Sequence, residues 1–321
     1  IVSSQEAANL TSDPEVASIL AQIRARQQEQ LSQVVGVTGR DLDGRWENVR
    51  IEETGMGRLV TAAYLEETGA DVAFENAGGI RTGRILEAGN VTYQDVIDTA
   101  PFGNYIVTKE ITGKDLLEIL EKSIELGRQN KKSYDEWIRT GSDQVRWPDN
   151  SGSYLQFAGV SVKYDMSKPE GKRVIEAMIG SEKVDPDRIY TIATNNYVAL
   201  GDDYESLKNA PEINQYGACD EVVIRFFQKG QEAVDAATGT AWLQAYTGDE
   251  NVTSSQKPED TADGTPSSGY GEPSQKGDKT QAVVDTGDVE NPALWGLVMV
   301  LAAVTGLTVG AYGWKRRGKK N

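Results

Sequence analysis

Apolar positions between residues 34 and 230 switch repeatedly between short runs and helical spacing, which predicts an alternation of strands and amphipathic helices. Ahead of them, Asp13-Pro14 supplies an N-cap and a first-turn proline. Val16, Ile19, Leu20 and Ile23 then recur on one face of a polar stretch ending near Gln33. The pattern predicts a helix that packs on one side, and periodicity alone allows either an inter-domain linker or an ordinary peripheral helix. Residues 34–37 follow as a strand, then a helix from Thr54 carrying Met56, Leu59, Val60, Ala63 and Tyr64, then a strand at 71–74. A second helix over 112–126 turns Leu116, Leu117, Ile119, Leu120 and Ile124 inward, with Gly127 as its stop. Residues 155–164, 174–179 and 189–194 read as strands, with Asp185-Pro186 turning the chain between the last two. A last helix over 220–229 carries Val222, Val223, Phe226 and Phe227. The sum is an α/β domain with a mixed sheet spanning residues 34–247, preceded by the helical segment 1–33.

Periodicity ends there. Residues 248–282 are rich in Ser, Gln, Lys, Pro, Thr and Gly and carry almost no apolar side chain, so they cannot bury enough surface to offset their ordering entropy and are expected to form a disordered stalk. Residues 292–314 are free of charge and are followed at once by Lys315-Arg316-Arg317-Gly318-Lys319-Lys320. A helix of that length crosses a bilayer of about 30 Å, with the basic cluster on the cytoplasmic side. Val283-Val284-Asp285-Thr286-Gly287-Asp288, a spacer, the apolar run and the basic end resemble, in that order, the cell-wall sorting signal of Gram-positive surface proteins. The resemblance implies cleavage between Thr286 and Gly287 by a sortase-type transpeptidase, although Val283 and Val284 stand where that signal has Leu and Pro. Residues 283–321 are therefore expected to be a sorting signal or a plain transmembrane anchor, and either places the domain outside the cell. The chain opens Ile1-Val2 without a basic n-region or an apolar h-region, so it does not begin with a signal peptide and its start reads as a cut in a longer chain.

Charge and composition narrow the chemistry. The formal net charge of −16 argues against a nucleic-acid partner, because an acidic surface repels phosphates, whereas a few arginines placed locally can still hold a single nucleotide. There is no histidine, which removes the usual zinc sites and His-based triads, and the lone Cys219 excludes an intrachain disulfide.

Candidate chemistry lies in three segments: Asn76-Ala77-Gly78-Gly79-Ile80-Arg81, Pro101-Phe102-Gly103-Asn104, and Asn195-Asn196-Tyr197 running on to Asp202-Asp203-Tyr204. Together they offer aromatic faces, amides, a guanidinium and carboxylates, the groups that a nucleoside phosphate needs. With Gly152-Ser153-Tyr154-Leu155-Gln156-Phe157 between them, these ordered motifs resemble the C-terminal domain of the 5'-nucleotidase family. The fold implied is the mixed-sheet α/β domain of that type, preceded by residues 1–33 as the helix that links it to a missing N-terminal catalytic domain and followed here by the disordered stalk and one C-terminal transmembrane helix.

The resemblance implies substrate-binding roles for eight residues. Phe102 and Tyr197 would form the walls of a base slot, Tyr197 standing where the family usually has Phe; spacing alone would make both rings core plugs. Arg81 and Arg50 would lie near phosphate and sugar, although a surface salt bridge with Glu52 or Glu53 is an equal reading of Arg50. Asn76 and Asn104 match base-edge contacts, Gly152 a backbone contact and Asp203 the acceptor for ribose hydroxyls. No catalytic or metal-binding residue is expected in this chain. The family's chemistry is implied to sit on two divalent metal ions in a separate N-terminal metallophosphoesterase domain, which leaves the present residues to grip a nucleoside or nucleoside 5'-phosphate. The alternative is a non-catalytic surface module that binds nucleosides or nucleotides.

Overall fold

The computed structural model describes residues 13–246. Helix α1 (Pro14–Leu31) starts as predicted, with the Asp13 carboxylate accepting from the N–H groups of Glu15 at 2.9 Å and Val16 at 3.1 Å. Its apolar stripe stays in solvent, with Val16, Ile19, Leu20 and Ile23 all at least 37% exposed. The expected one-sided packing is therefore not formed among the described residues, because no element of this domain lies over those four side chains.

Five strands make the central sheet, in the order β12 (Glu212–Ala218), β6 (Tyr105–Thr112), β11 (Ile189–Asn195), β3 (Val72–Asn76), β7 (Leu155–Ala158). β11 and β3 run parallel and the other pairs are antiparallel. β3 is buried along its whole length, as a strand with neighbours on both sides and helices over it must be. Against it packs α3 (Gly55–Thr68), which also touches α8 (Cys219–Phe227) and α9 (Gln231–Gly239). A second sheet orders β10 (Glu182–Lys183), β9 (Val174–Ile179), β8 (Ser161–Tyr164) and β13 (Leu243–Ala245). The long helix α5 (Gly113–Thr140) lies against β6 of the first sheet and β9 of the second. Two short ribbons stand apart from these sheets, β1 (Val34–Thr38) with β5 (Gly89–Thr92), which packs on α8 and α9, and β2 (Leu42–Asp43) with β4 (Ile85–Leu86).

Three expectations need correction. The run 155–164 is not one strand, because the chain turns at Gly159, whose φ of +87° suits glycine, and passes from the first sheet into the second. α5 does not stop at Gly127. It continues thirteen residues to Thr140, and the glycine serves close packing, since a Cβ there would sit 2.8 Å from the Tyr154 ring and 3.0 Å from the Ile51 carbonyl oxygen. β6 is absent from the expected strands although it lies inside the central sheet, because Lys109 interrupts its apolar run. In the fold that lysine is buried and its Nζ donates to the Leu207 carbonyl at 2.6 Å.

α5 is tied to the start of β9 by a buried charge cluster. Glu125 accepts from Arg128 Nη2 at 2.6 Å and Nε at 2.8 Å, and also from Arg173. The hydrogen bond from Arg128 leads the effects that hold the Glu125 carboxyl down at about 2. Among the described residues no helix is long and apolar enough to cross a membrane. The stalk at 248–282, the Thr286-Gly287 pair and the apolar run 292–314 lie outside the described residues.

Candidate nucleotide site

The sheet topology gathers the three sequence segments at one edge. β3 and β11 are parallel, so both end there, while β6 and β7, antiparallel to their neighbours, begin there. Four turns consequently meet: Ala77–Gly79 with Arg81 after β3, the short helix α6 (Asn196–Ala199) after β11, the Phe102 turn before β6, and Ser151–Ser153 before β7. Register pairs Asn195 with Ile106, and the Tyr105 N–H donates to Asn196 Oδ1 at 3.0 Å, which ties the Phe102 turn to the start of α6. The carboxyl ends of parallel neighbours are a habitual ligand position in open α/β sheets.

Neither aromatic fills the core: Phe102 is 45% exposed and Tyr197 54%. The Arg81 guanidinium carbon lies 5.2 Å from the Phe102 ring centroid and 5.8 Å from that of Trp46, on the short helix α2 (Trp46–Val49). That guanidinium makes no hydrogen bond or ion pair among the described residues, and its Nε is buried without a partner. A cation held between rings and left without an anion is poised for one supplied from outside.

Arg50 lies near by. Its Nη1 donates to the Trp46 carbonyl at 3.1 Å, and its Cζ stands 5.9 Å from the Trp46 ring and 6.0 Å from the Trp147 ring. The Glu53 carboxylate is committed elsewhere, accepting from the backbone N–H groups of Trp242 and Leu243. Arg45 is occupied by Asp43 through two parallel bonds of 3.0 and 2.7 Å. Partial burial opposes ionisation of Asp43, but the bonds from Arg45 and Asn48 hold its carboxyl below the ordinary range.

Beneath the rings lies a polar floor. Asn195 Nδ2 approaches both Glu75 carboxylate oxygens at 2.8 Å and Asn76 Oδ1 at 3.0 Å, while Asn195 Oδ1 caps α6 through the Val198 N–H. Because the oxygen of Asn76 is engaged from below, its Nδ2 faces Gly152, whose carbonyl accepts at 3.3 Å. The floor thus presents Asn76 as a donor. Burial pushes the Glu75 carboxyl up to about 7 against the hydrogen bonds from Asn195 and Tyr64. Burial first, and the Glu75 charge second, likewise raise the neighbouring Tyr64 and Cys219. Asn104, half-buried, lines a small cavity with Glu75, Phe102 and Cys219.

Asp203 sits at the side of this floor. Its Oδ2 accepts from Ser153 Oγ at 2.5 Å and its carbonyl from Lys122 Nζ, while Tyr204 donates to the Ser153 carbonyl at 2.7 Å. All eight predicted residues are thus placed: seven on the four turns, or linked to them by hydrogen bond, and Arg50 through Trp46. Sequence reasoning passed over Trp46, Glu75, Ser153 and the role of Asn195. Trp46 stands one turn before Arg50, which was a usable signal, but nothing marks Glu75 as buried. A cavity of about 660 Å³ lies elsewhere, along α5 beside Tyr154 and Tyr164, and contains no predicted residue. Two of its cations, Lys131 and Arg139, are paired with Asp135 and Glu136 on the same helix.

A protein-family model described as the 5'-nucleotidase, C-terminal domain matches residues 34–208. The chain belongs to this family. The 5'-nucleotidase C-terminal domain match covers every predicted substrate-binding residue. Protein UshA of Escherichia coli (strain K12) is 32% identical over 229 residues, 71% of this chain and 36% of that protein. The 5'-nucleotidase of Vibrio vulnificus (strain CMCP6) is 31% identical over 224 residues, 70% of this chain and 35% of that one. Among solved structures, a 5'-nucleotidase precursor from Thermus thermophilus shares the fold at a TM-score of 0.55 and 24% identity, covering 72% of this chain and 43% of that one. The chain spans about a third of the length of the curated relatives it matches. No group of three or more His, Cys, Asp or Glu side chains among the described residues could hold a metal ion.

Proposed function

We propose that this chain is the nucleotide-holding part of a cell-surface 5'-nucleotidase-like phosphohydrolase that acts on extracellular nucleoside 5'-phosphates. The observation that carries the reading is the unpartnered Arg81 guanidinium beside exposed Phe102, on the edge shared by Tyr197, Asn76 and Asp203. Phe102 and Tyr197 take the base between them, a sandwich that tolerates different bases. Asn76, Asn104 and the Gly152 backbone meet the base edge, Asp203 accepts from ribose hydroxyls, and Arg81 with Arg50 meets the phosphate. In this reading the two divalent ions that would activate water for phosphoryl transfer belong to a separate N-terminal domain, as the family resemblance implies. The present residues bind and orient.

Titration calorimetry with adenosine and its monophosphate tests the slot. Phe102→Ala and Tyr197→Ala should each weaken binding by about 1–3 kcal/mol, Tyr197→Phe should be nearly silent, and Asp203→Ala should hurt ribosides more than free adenine. Folded alanine variants that bind like the parent would refute the assignment. Binding without any phosphate release from the complete protein supplied with Mn²⁺ would favour the non-catalytic module instead. For the surface location, Thr286→Ala should move the protein from the wall fraction to the membrane fraction; an unchanged distribution between the two fractions would refute sorting at Thr286.

A further inference from the structure

The polar floor under the base slot is built around one acid. Glu75, on β3, is buried, and groups from several elements close over it. Asn195, at the end of β11, donates from Nδ2 toward both carboxyl oxygens at 2.8 Å. Tyr64 on α3 donates as well, and Cys219 at the start of α8 shares a small cavity with Glu75, Phe102 and Asn104. On the turn that leads to Arg81, Glu75 Oε1 lies so close to Gly79 that a Cβ there would collide with it. The titratable groups facing Glu75 are the Tyr64 hydroxyl and the Cys219 thiol. Burial raises both, so they are uncharged near neutrality, and no cation is among the effects that set the Glu75 carboxyl. A position this dry is ordinarily apolar, because an ionised carboxylate without a cation is costly to bury.

The acid holds more than itself. Asn195 Nδ2 also donates to Asn76 Oδ1 at 3.0 Å, and Asn195 Oδ1 accepts from the N–H of Val198, next to Tyr197. Reversing the Asn195 amide would set its oxygen against the oxygens of Glu75 and Asn76, so the acceptor at Glu75 fixes which way Asn195 points. Asn195 in turn keeps the Asn76 Nδ2 free of the floor and caps the short helix that carries Tyr197. We propose that Glu75 is a positioning residue for nucleoside binding and makes that binding proton-linked, the site taking its nucleoside with Glu75 uncharged. The proposal rests on the base slot described above and names its regulation. A base lying over Asn76 removes water from above the floor, which raises the cost of a negative charge beneath it. Burial has already pushed the Glu75 carboxyl up to about 7. A ligand that lifts it further takes up a proton on binding, so affinity is full below that value and falls as pH rises through it.

The test is titration calorimetry of the full chain with adenosine, a ligand with no titrating group of its own in the range, from about pH 5.5 to about pH 8.5. The parent should lose about three- to tenfold in affinity across the range, the fall expected where binding makes ionisation that much harder. Glu75→Gln keeps an acceptor for Asn195 and cannot ionise. It should bind as tightly as the parent does at the acid end and show no fall. Glu75→Leu offers Asn195 no acceptor and should bind about tenfold more weakly than Glu75→Gln at both ends of the range. If the leucine variant does not fold, the profiles of the parent and Glu75→Gln decide alone. A flat parent profile, or an equal fall in Glu75→Gln, with adenosine still sensitive to Phe102→Ala, would overturn the proposal and leave the base slot standing. A folded Glu75→Leu that binds like Glu75→Gln would overturn the positioning role. Absence of adenosine binding at every pH would overturn both readings.

Discussion

Glu75 gives the sharpest quantitative test of the site's interior. The side chain is 3% exposed beneath Asn76, and burial lifts its carboxyl to about 7 although Asn195 and Tyr64 donate to it. In the unfolded chain the same group titrates at about 4.3, so between those two values the folded protein holds a proton that the unfolded chain has released. Its favourable contribution is complete below about pH 4 and is lost as pH rises through about 7. Each pH unit over which the two states differ by one whole proton changes stability by about 1.4 kcal/mol, so the loss between pH 5 and pH 8 comes to about 2–3 kcal/mol. Glu75→Gln keeps the shape and the acceptor for Asn195 but removes the titration. Urea unfolding at pH 5, 6, 7 and 8 should therefore give the parent a steeper decline than the variant, by that amount across the range. Burial also raises Asp98, Asp220 and Glu53, but these groups are common to both proteins and cancel in the difference. Parallel profiles for the two proteins would refute the claim that a buried, protonated carboxyl underlies the slot.

Arg81→Met should weaken the nucleoside monophosphate about tenfold or more, leave adenosine little changed, and barely move the unfolding midpoint, because the guanidinium has no folded-state anion to lose; calorimetry and thermal melts check this together. Glu125→Gln should destabilise the fold by about 3 kcal/mol, since it leaves the buried Arg173 and its neighbour Arg128 without their carboxylate. In the parent, stability from that cluster should be present above about pH 4 and fall as pH drops toward about 2, the sign expected of a depressed carboxyl, and acid unfolding of parent and variant would show it.

Much of the fold was legible because its signals are local. The proline and aspartate at the start of α1, the run Val174–Ile179 and the apolar spacing of α3 and α8 are properties of a few adjacent residues, and the structure places those elements within a residue or two of the reading. β6 escaped because its buried Lys109 looks like a surface residue until Leu207, ninety-eight positions away, supplies the acceptor. Gly127 looked like a stop because a glycine that ends a helix and one that admits a neighbouring ring are the same letter.

The sequence by itself determined the chemical inventory of the site: two aromatics, two arginines, the amides and a carboxylate, with no histidine to supply the usual metal ligands. It also determined that these groups come in separate segments. Only the tertiary structure decided that the segments meet, because the meeting depends on strand direction: β3 and β11 parallel, β6 and β7 antiparallel to them, all four turns at one edge. It also decided which charges remain available. Arg45 and Arg81 are equivalent letters, yet Arg45 is held by Asp43 while Arg81 lies between two rings with no anion bound to it among the described residues. Availability of a charge depends on every other group within a few ångströms, and sequence distance says nothing about those neighbours.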